Sequence, residues 1–276
     1  MSGTGVPPVG SLIVSQHRMN VAAYLDRINY RGSVMPTAET LCALQVAHLR
    51  SVPFENLSIH AGQPIILNDE ALFEKIVTRK RGGFCYELNG LFAGLLSSIG
   101  FEVHKLSARV ANAEGGFGAE FDHMTLLVNL EDRWLADVGF GDSFIQPLRL
   151  DYSGEQLQGL RGYDIVNQDG GFILRQRELG GDWKSQYRFT LEPHEYPDYE
   201  EMCHHQQTSP QSHFTQGRIC TLATESGRIS LSELRFITTV MGEKEERVLA
   251  DENEYALMLR ERFGICEQLK FRSAKV

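Results

Sequence analysis

The spacing of apolar residues changes near residue 100. Before it they recur every three to four positions, as on one face of a helix; after it they alternate, as in a half-buried strand. In the first zone MNVAAYLDRINY, over 19–30, has helical spacing. A second helix is expected after Pro36, with Thr37 as N-cap, running through LCALQVAHL. SVPFENLSIHAGQPIIL then reads as irregular with short extended pieces. Asn68 can cap a third helix, DEALFEKIVTRK, acidic at its start and basic at its end as the helix dipole prefers. The fourth begins at Cys85. Its apolar residues fall at Leu88, Leu91, Phe92, Leu95, Leu96 and Ile99, and Gly100 is the stop.

The second zone opens with FEVHKLSARV, HMTLLVNL and RWLADVGF, and continues with GYDIVNQ, GFILRQREL and WKSQYRFT, all of strand period with Gly and Asp turns between them. Such a series points to a small barrel or a strongly curled antiparallel sheet. TLEPHEYPDYEEM reads as loop and helix. The tail mixes strands (RICTLA, RISLSE, RFITTV, ERVLA) with a last helix from about Glu252 to Phe263. The class is α+β, in short-linked zones that pack together.

Bulk properties narrow the function. A chain of 276 residues has room for two or three domains, and 42% hydrophobic with 23% charged residues is ordinary for a globular protein. With 27 basic and 36 acidic residues the net charge is −9 and no basic stripe stands out, which argues against nucleic acid. A small anionic cofactor needs only a local basic or N–H-rich pocket. No apolar run approaches the roughly 20 residues of a membrane span. MSGTGVPPVGSLIVSQHR lacks the pattern of a secretory signal and reads as a lead-in. Five scattered cysteines suit reduced thiols in a cytoplasm.

The run RGGFCYELN concentrates the candidate chemistry. A thiol at a helix N-terminus sits beside unpaired backbone N–H groups and the positive end of the helix dipole, both of which favour thiolate. Gly82 and Gly83 permit a tight turn or a close approach. Its bland alternative is a buried, inert cysteine. In the strand zone His123 opens one apolar strand and Asp137 ends the next, before Val138-Gly139-Phe140-Gly141. Cysteine, histidine and aspartate make a workable nucleophile, base and orienter. The geometry sets a condition. With Glu131-Asp132 as a two-residue turn, His123 and Asp137 point to opposite faces of the sheet; a three-residue turn or a bulge puts them on one face.

Cys203, His204, His205 and His213 match no standard zinc spacing, so no metal is expected. ANAEGGFGAEF, over 111–121, is not a phosphate loop, and no G-x-S-x-G elbow is present.

Taken together, Tyr24-Leu25-x-Arg27-Ile28, His48 leading to VPFENLSIHAG, RGGFCYELN, the His123 strand, WLADVGFG and TSPQSHF resemble the arylamine N-acetyltransferase family, of the bacterial N-hydroxyarylamine O-acetyltransferase type. The resemblance runs from about Tyr24 to Arg262. It implies an N-terminal helical bundle (1–100) carrying the nucleophile, a central antiparallel β-barrel (101–205) carrying His and Asp, and a C-terminal α/β lid (206–276), around a cysteine-protease-like core. It makes Cys85 the acetyl-accepting nucleophile, His123 the general acid/base and Asp137 its orienter. Phe54, Val110 and Phe140 would line an aromatic acceptor pocket. Ala119, Glu120, Gly141, His205, Gln211, Ser212 and His213 would border coenzyme A. Acetyl-coenzyme A is the implied co-substrate, with arylamines, arylhydrazines or arylhydroxylamines as acceptors in a ping-pong reaction. Neither nucleic acid nor membrane is implied as a partner. Alternatives are a related amide synthase releasing a carrier-bound chain as a macrolactam, a cysteine peptidase or transglutaminase-like enzyme, and a binding module with an idle thiol. The 38 residues from Cys85 to His123 differ from the papain-like spacing of well over 100.

Overall fold

The computed structural model describes residues 19–271; the lead-in expected over 1–18 lies outside the described residues. Four helices expected from periodicity are present, with α1 at Val21–Arg27, α2 at Ala38–Ser51, α4 at Asp69–Phe73 and α5 at Cys85–Ser98. Their caps follow the sequence: Thr37 Oγ1 accepts from the Thr40 N–H at 3.3 Å and Asn68 Oδ1 from the Ala71 N–H at 2.8 Å. At Gly100 the backbone turns left-handed (φ +97°), and the Phe101 N–H closes on the Leu96 carbonyl at 3.0 Å.

Several local expectations need correction. The third helix does not run to residue 80. After Phe73 it widens into a π-helical turn, Glu74–Thr78, that buries Lys75, Ile76 and Val77 in succession, more than one α-helical face can hide. The stretch read as irregular with short extended pieces does hold one such piece, strand β1, Phe54–Glu55, but also an unexpected helix, α3, Leu57–Ala61. Glu55 Oε2 accepts from the Leu57 N–H at 2.6 Å at the start of α3, and Gly62 (φ +67°) ends it.

Eight antiparallel strands form the central sheet: β2 Glu102–Val110, β3 His123–Asn129, β4 Arg133–Ala136, β5 Leu148–Arg149, β6 Gln156–Gln158, β7 Arg161–Gln168, β8 Gly171–Glu178 and β9 Lys184–His194. Their order is β5-β4-β3-β2-β9-β8-β7-β6. Side chains bridge the gap between the end strands. Gln156 accepts from the Arg149 N–H (2.8 Å) and donates to its carbonyl (3.0 Å). Gln158 does the same with Gln146 (2.9 and 2.7 Å). Two glutamine amides thus stand in for a ladder and the sheet is a near-closed barrel.

Strand β3 lies between two cores. Leu126 and Val128 pack with α5 and the other helices, while Leu127 faces the barrel interior with Leu106, Phe144 and Tyr187. The remaining chain forms α6 Tyr196–Thr208, α7 His213–Gln216, β10 Ile219–Ala223, β11 Gly227–Ser232, β12 Arg235–Val240, β13 Glu243–Val248 and α8 Glu252–Phe263. The division expected after residue 205 falls inside α6. The second sheet is ordered β1-β10-β11-β12-β13, so Phe54 and Glu55 are stitched into the lid sheet from the helical end.

Candidate active site

Cys85 is the first residue of α5, and the packing beneath it explains the glycines before it. A Cβ on Gly82 would stand 1.9 Å from the Pro53 carbonyl oxygen, and one on Gly83 would stand 2.7 Å from the Glu87 carboxylate. Close approach is the requirement here. Glu87 accepts from the Phe84 N–H (3.2 Å), capping the helix from its first turn, and pairs with the buried Lys75 ammonium at 2.7 Å. Arg81, fully buried, is bound by Glu55 at 2.8 Å and by Glu267 at 3.3 Å. Removing one member of such a pair leaves a buried charge uncompensated, at a cost of about 3–5 kcal/mol.

The condition on the β3–β4 hairpin is met. Asn129 pairs with Arg133, which leaves a three-residue turn, Leu130-Glu131-Asp132. In that register Asp137 comes opposite Thr125, on the same face as His123, and His123 Nε2 lies 2.7 Å from Asp137 Oδ2. Strand β4 stops at Ala136 and does not run on to Phe140, because side chains claim the next amides. The Asp137 N–H donates to Gln45 Oε1 (3.0 Å), Val138 to Asn89 Oδ1 (2.8 Å) and Gly139 to Asp137 Oδ1 (2.9 Å).

Asp137 also accepts from Asn89 Nδ2 (2.8 Å) and from the Tyr187 hydroxyl (3.0 Å). Burial alone would push this carboxyl up. The charge and hydrogen bond of His123, with the Asn89 and Gly139 donors, outweigh burial and hold it below the ordinary carboxylate range. Gly139 has a packing reason of its own: a Cβ there would lie 2.8 Å from the Cys85 Cα.

A cavity of about 200 Å³ brings together Cys85, His123, Phe54, Val110, Phe140 and His213, with Asp122, Gly139, Gln206 and Phe214. With Nε2 bound to Asp137, Nδ1 is the imidazole nitrogen left free for a partner. Burial pushes the Cys85 thiol well above its ordinary value; the Met124 backbone hydrogen bond opposes this, while Cys203, Asp122 and Asp137 reinforce it. The thiolate preference expected from a helix N-terminus is therefore outweighed by desolvation. Ionisation of Cys85 needs a nearby base that becomes its counterion, because a proton lost to solvent leaves a buried lone anion.

The other candidates are placed apart or at the rim. Gly141 adopts φ +89° next to the Phe54 ring. Ser212 is buried and donates to Gln206 Oε1 at 2.6 Å, while Ala119, His205 and Gln211 are exposed. Glu120 pairs with Arg109 at 2.9 Å, in a separate depression of about 300 Å³ on β2 and β9. Cys203 is buried with Tyr86 and Tyr199, whereas His204 and His205 are exposed on α6. Sequence reasoning gave no role to Asn89, Tyr187, Gln45 or Arg81. Only Asn89 carried a local signal, one helical turn beyond Cys85.

The helical bundle, the near-closed antiparallel barrel and the α/β unit meet around this thiol-bearing cavity. The chain belongs to the N-acetyltransferase family, whose model matches residues 37–271. It is 37% identical over 220 residues to an arylamine N-acetyltransferase of Mycolicibacterium smegmatis, covering 77% of this chain and 80% of the relative. It is 29% identical over 256 residues to proansamycin X synthase of Amycolatopsis mediterranei, covering 87% and 95%. The structure of Mycobacterium marinum arylamine N-acetyltransferase in complex with CoA superposes with a TM-score of 0.83 at 33% identity, over 89% of this chain and 93% of that one.

Proposed function

We propose that this chain transfers an acetyl group from acetyl-coenzyme A to aromatic amines, hydrazines or hydroxylamines, with Cys85 as the intermediate carrier. The observation that carries the reading is the bond from His123 to a fully hydrogen-bonded Asp137 beside the Cys85 cavity, in a member of the N-acetyltransferase family.

Asp137 fixes the imidazole tautomer through Nε2 and stabilises the imidazolium. His123 takes the Cys85 proton as the sulfur attacks the thioester carbonyl, so charge separates inside the cavity as an ion pair. A backbone N–H at or beside Cys85 receives the developing oxyanion, a contribution of about 3 kcal/mol in comparable sites. His123 then returns the proton to the departing coenzyme A thiolate. The acceptor enters between Phe54, Val110 and Phe140 and its neutral nitrogen or oxygen attacks the acetyl carbon; the carbon–sulfur bond to Cys85 breaks, and His123 carries the acceptor's proton back to the released thiolate. Exchange between two thiols is nearly balanced in energy, so positioning carries most of the rate. Gly141 and His213 are proposed to edge the coenzyme A path, with Ala119, Glu120, His205, Gln211 and Ser212 farther along it.

Among the described residues no helix is long and apolar enough to cross a membrane. The proposed setting is the cytoplasm, with neither membrane nor nucleic acid as a partner. Likeness to a synthase supports a second reading, acyl transfer from a carrier protein with amide formation. Intact mass spectrometry after mixing with acetyl-coenzyme A separates the two. One acetyl group added to the wild type, absent in Cys85→Ala and discharged by an aromatic amine, is the expected result. No acetylation by acetyl-coenzyme A would sink the first reading.

A further inference from the structure

Asp122 lines the same cavity as Cys85, next to His123 in the chain, and the steps above give it no task. Its Oδ1 accepts from Gln206 Nε2 at 2.7 Å. The Ser212 hydroxyl donates to Gln206 Oε1 at 2.6 Å, which orients the amide with its NH2 toward Asp122. On the other side the 111–121 segment presses in: a Cβ on Gly118 would stand 2.6 Å from Asp122 Oδ2. The carboxylate is thus held in one orientation by a neutral partner. Among the described residues the cavity lining contains no lysine or arginine to offset it; besides His123, His213 and Gln206, its surface is largely the Phe54, Val110, Phe140 and Phe214 side chains.

From this geometry we infer that Asp122 sets the charge class of the acyl acceptor, admitting neutral aromatic amines and excluding those that carry a ring carboxylate. A fixed negative charge in a small, mostly apolar cavity repels a second one more strongly than it would in water. The inference rests on the acyl-acceptor role proposed for the cavity. It names a specificity residue and not a member of the reacting set. Several groups face Asp122. Burial raises its carboxyl; His123, the Val110 backbone, Gln206 and His205 of α6 oppose that. In turn it pushes up Cys85 and Tyr86 of α5.

The test has two arms. In the first, alkylation at Cys85 by iodoacetate and by iodoacetamide is followed by peptide mass spectrometry in the wild type and in Asp122→Asn, which keeps the shape and the Gln206 bond. The iodoacetate-to-iodoacetamide rate ratio is expected to rise roughly 10-fold in the variant, as loss of a nearby charge screened by protein and solvent implies. An unchanged ratio overturns the inference. This arm needs no acetyl transfer, so it stands apart from failure of the proposed function. In the second arm, wild-type kcat/KM is compared for methyl 4-aminobenzoate and 4-aminobenzoate. The ester is expected to lead by roughly 10-fold or more. Equal values overturn the inference even if the variant does not fold.

Discussion

His48 and His123 are both buried histidines whose rings meet an oxygen, at 0% and 2% exposure, and they differ in what that oxygen carries. His48 Nδ1 lies 2.8 Å from the Tyr24 hydroxyl, its Nε2 has no partner among the described residues, and its ring packs edge-on against Phe92. Burial, reinforced by Arg27, lowers its pKa to about 3, so it stays neutral in the helical core. His123 instead meets a carboxylate that three further donors hold ionised, beside a cavity. The pair shows that burial alone makes imidazole an inert space-filler. An ionised partner and an opening make it chemically useful.

The comparison can be broken most severely at Asp137. Asp137→Asn keeps the packing but offers the wrong hydrogen-bond partner to His123, and kcat is expected to fall on the order of 10³-fold or more. Steady-state kinetics with an aromatic amine checks this, and near-normal turnover would make the aspartate merely structural. Next comes the acid sensitivity of His48. Its folded pKa of about 3 lies below the unfolded value of about 6.5, so the unfolded chain binds the proton first. The contribution is fully present above about pH 6.5 and is lost as pH falls toward 3, by up to about 1.4 kcal/mol per unit. Urea denaturation between pH 7 and 5 should show this slope, and the double variant Tyr24→Phe/His48→Leu should lose that share of it.

A smaller effect is expected from Tyr187→Phe, which removes one of the donors on Asp137: about 10-fold in kcat and about 1 kcal/mol in stability. The smallest is expected from Tyr24→Phe. It should cost about 1 kcal/mol of stability and leave kcat unchanged, because its partner does no chemistry. If Tyr24→Phe slowed turnover as much as Tyr187→Phe, the two histidines would not differ as described.

The sequence by itself determined the longer helices and strands and three helix ends. Thr37, Asn68 and Gly100 act through bonds to near neighbours, so local pattern suffices to place them. It also put Cys85 at the head of an apolar-faced helix, and it left His123 and Asp137 as a pair conditional on one turn. Leu130 continues the apolar pattern of β3, which hides the fact that it belongs to the turn. Only the tertiary structure decided that register, and with it which face Asp137 takes. It alone brought Tyr187 and Gln45 to Asp137, from 50 and 92 residues away, by hydrogen bonds that leave no periodic trace in a chain. It also decided how deeply the thiol is buried. A helix N-terminus is legible in sequence, but the burial that raises the Cys85 thiol comes from its place in a packed cluster with Phe84, Tyr86, Tyr199 and Cys203, and burial is a property of the packed molecule.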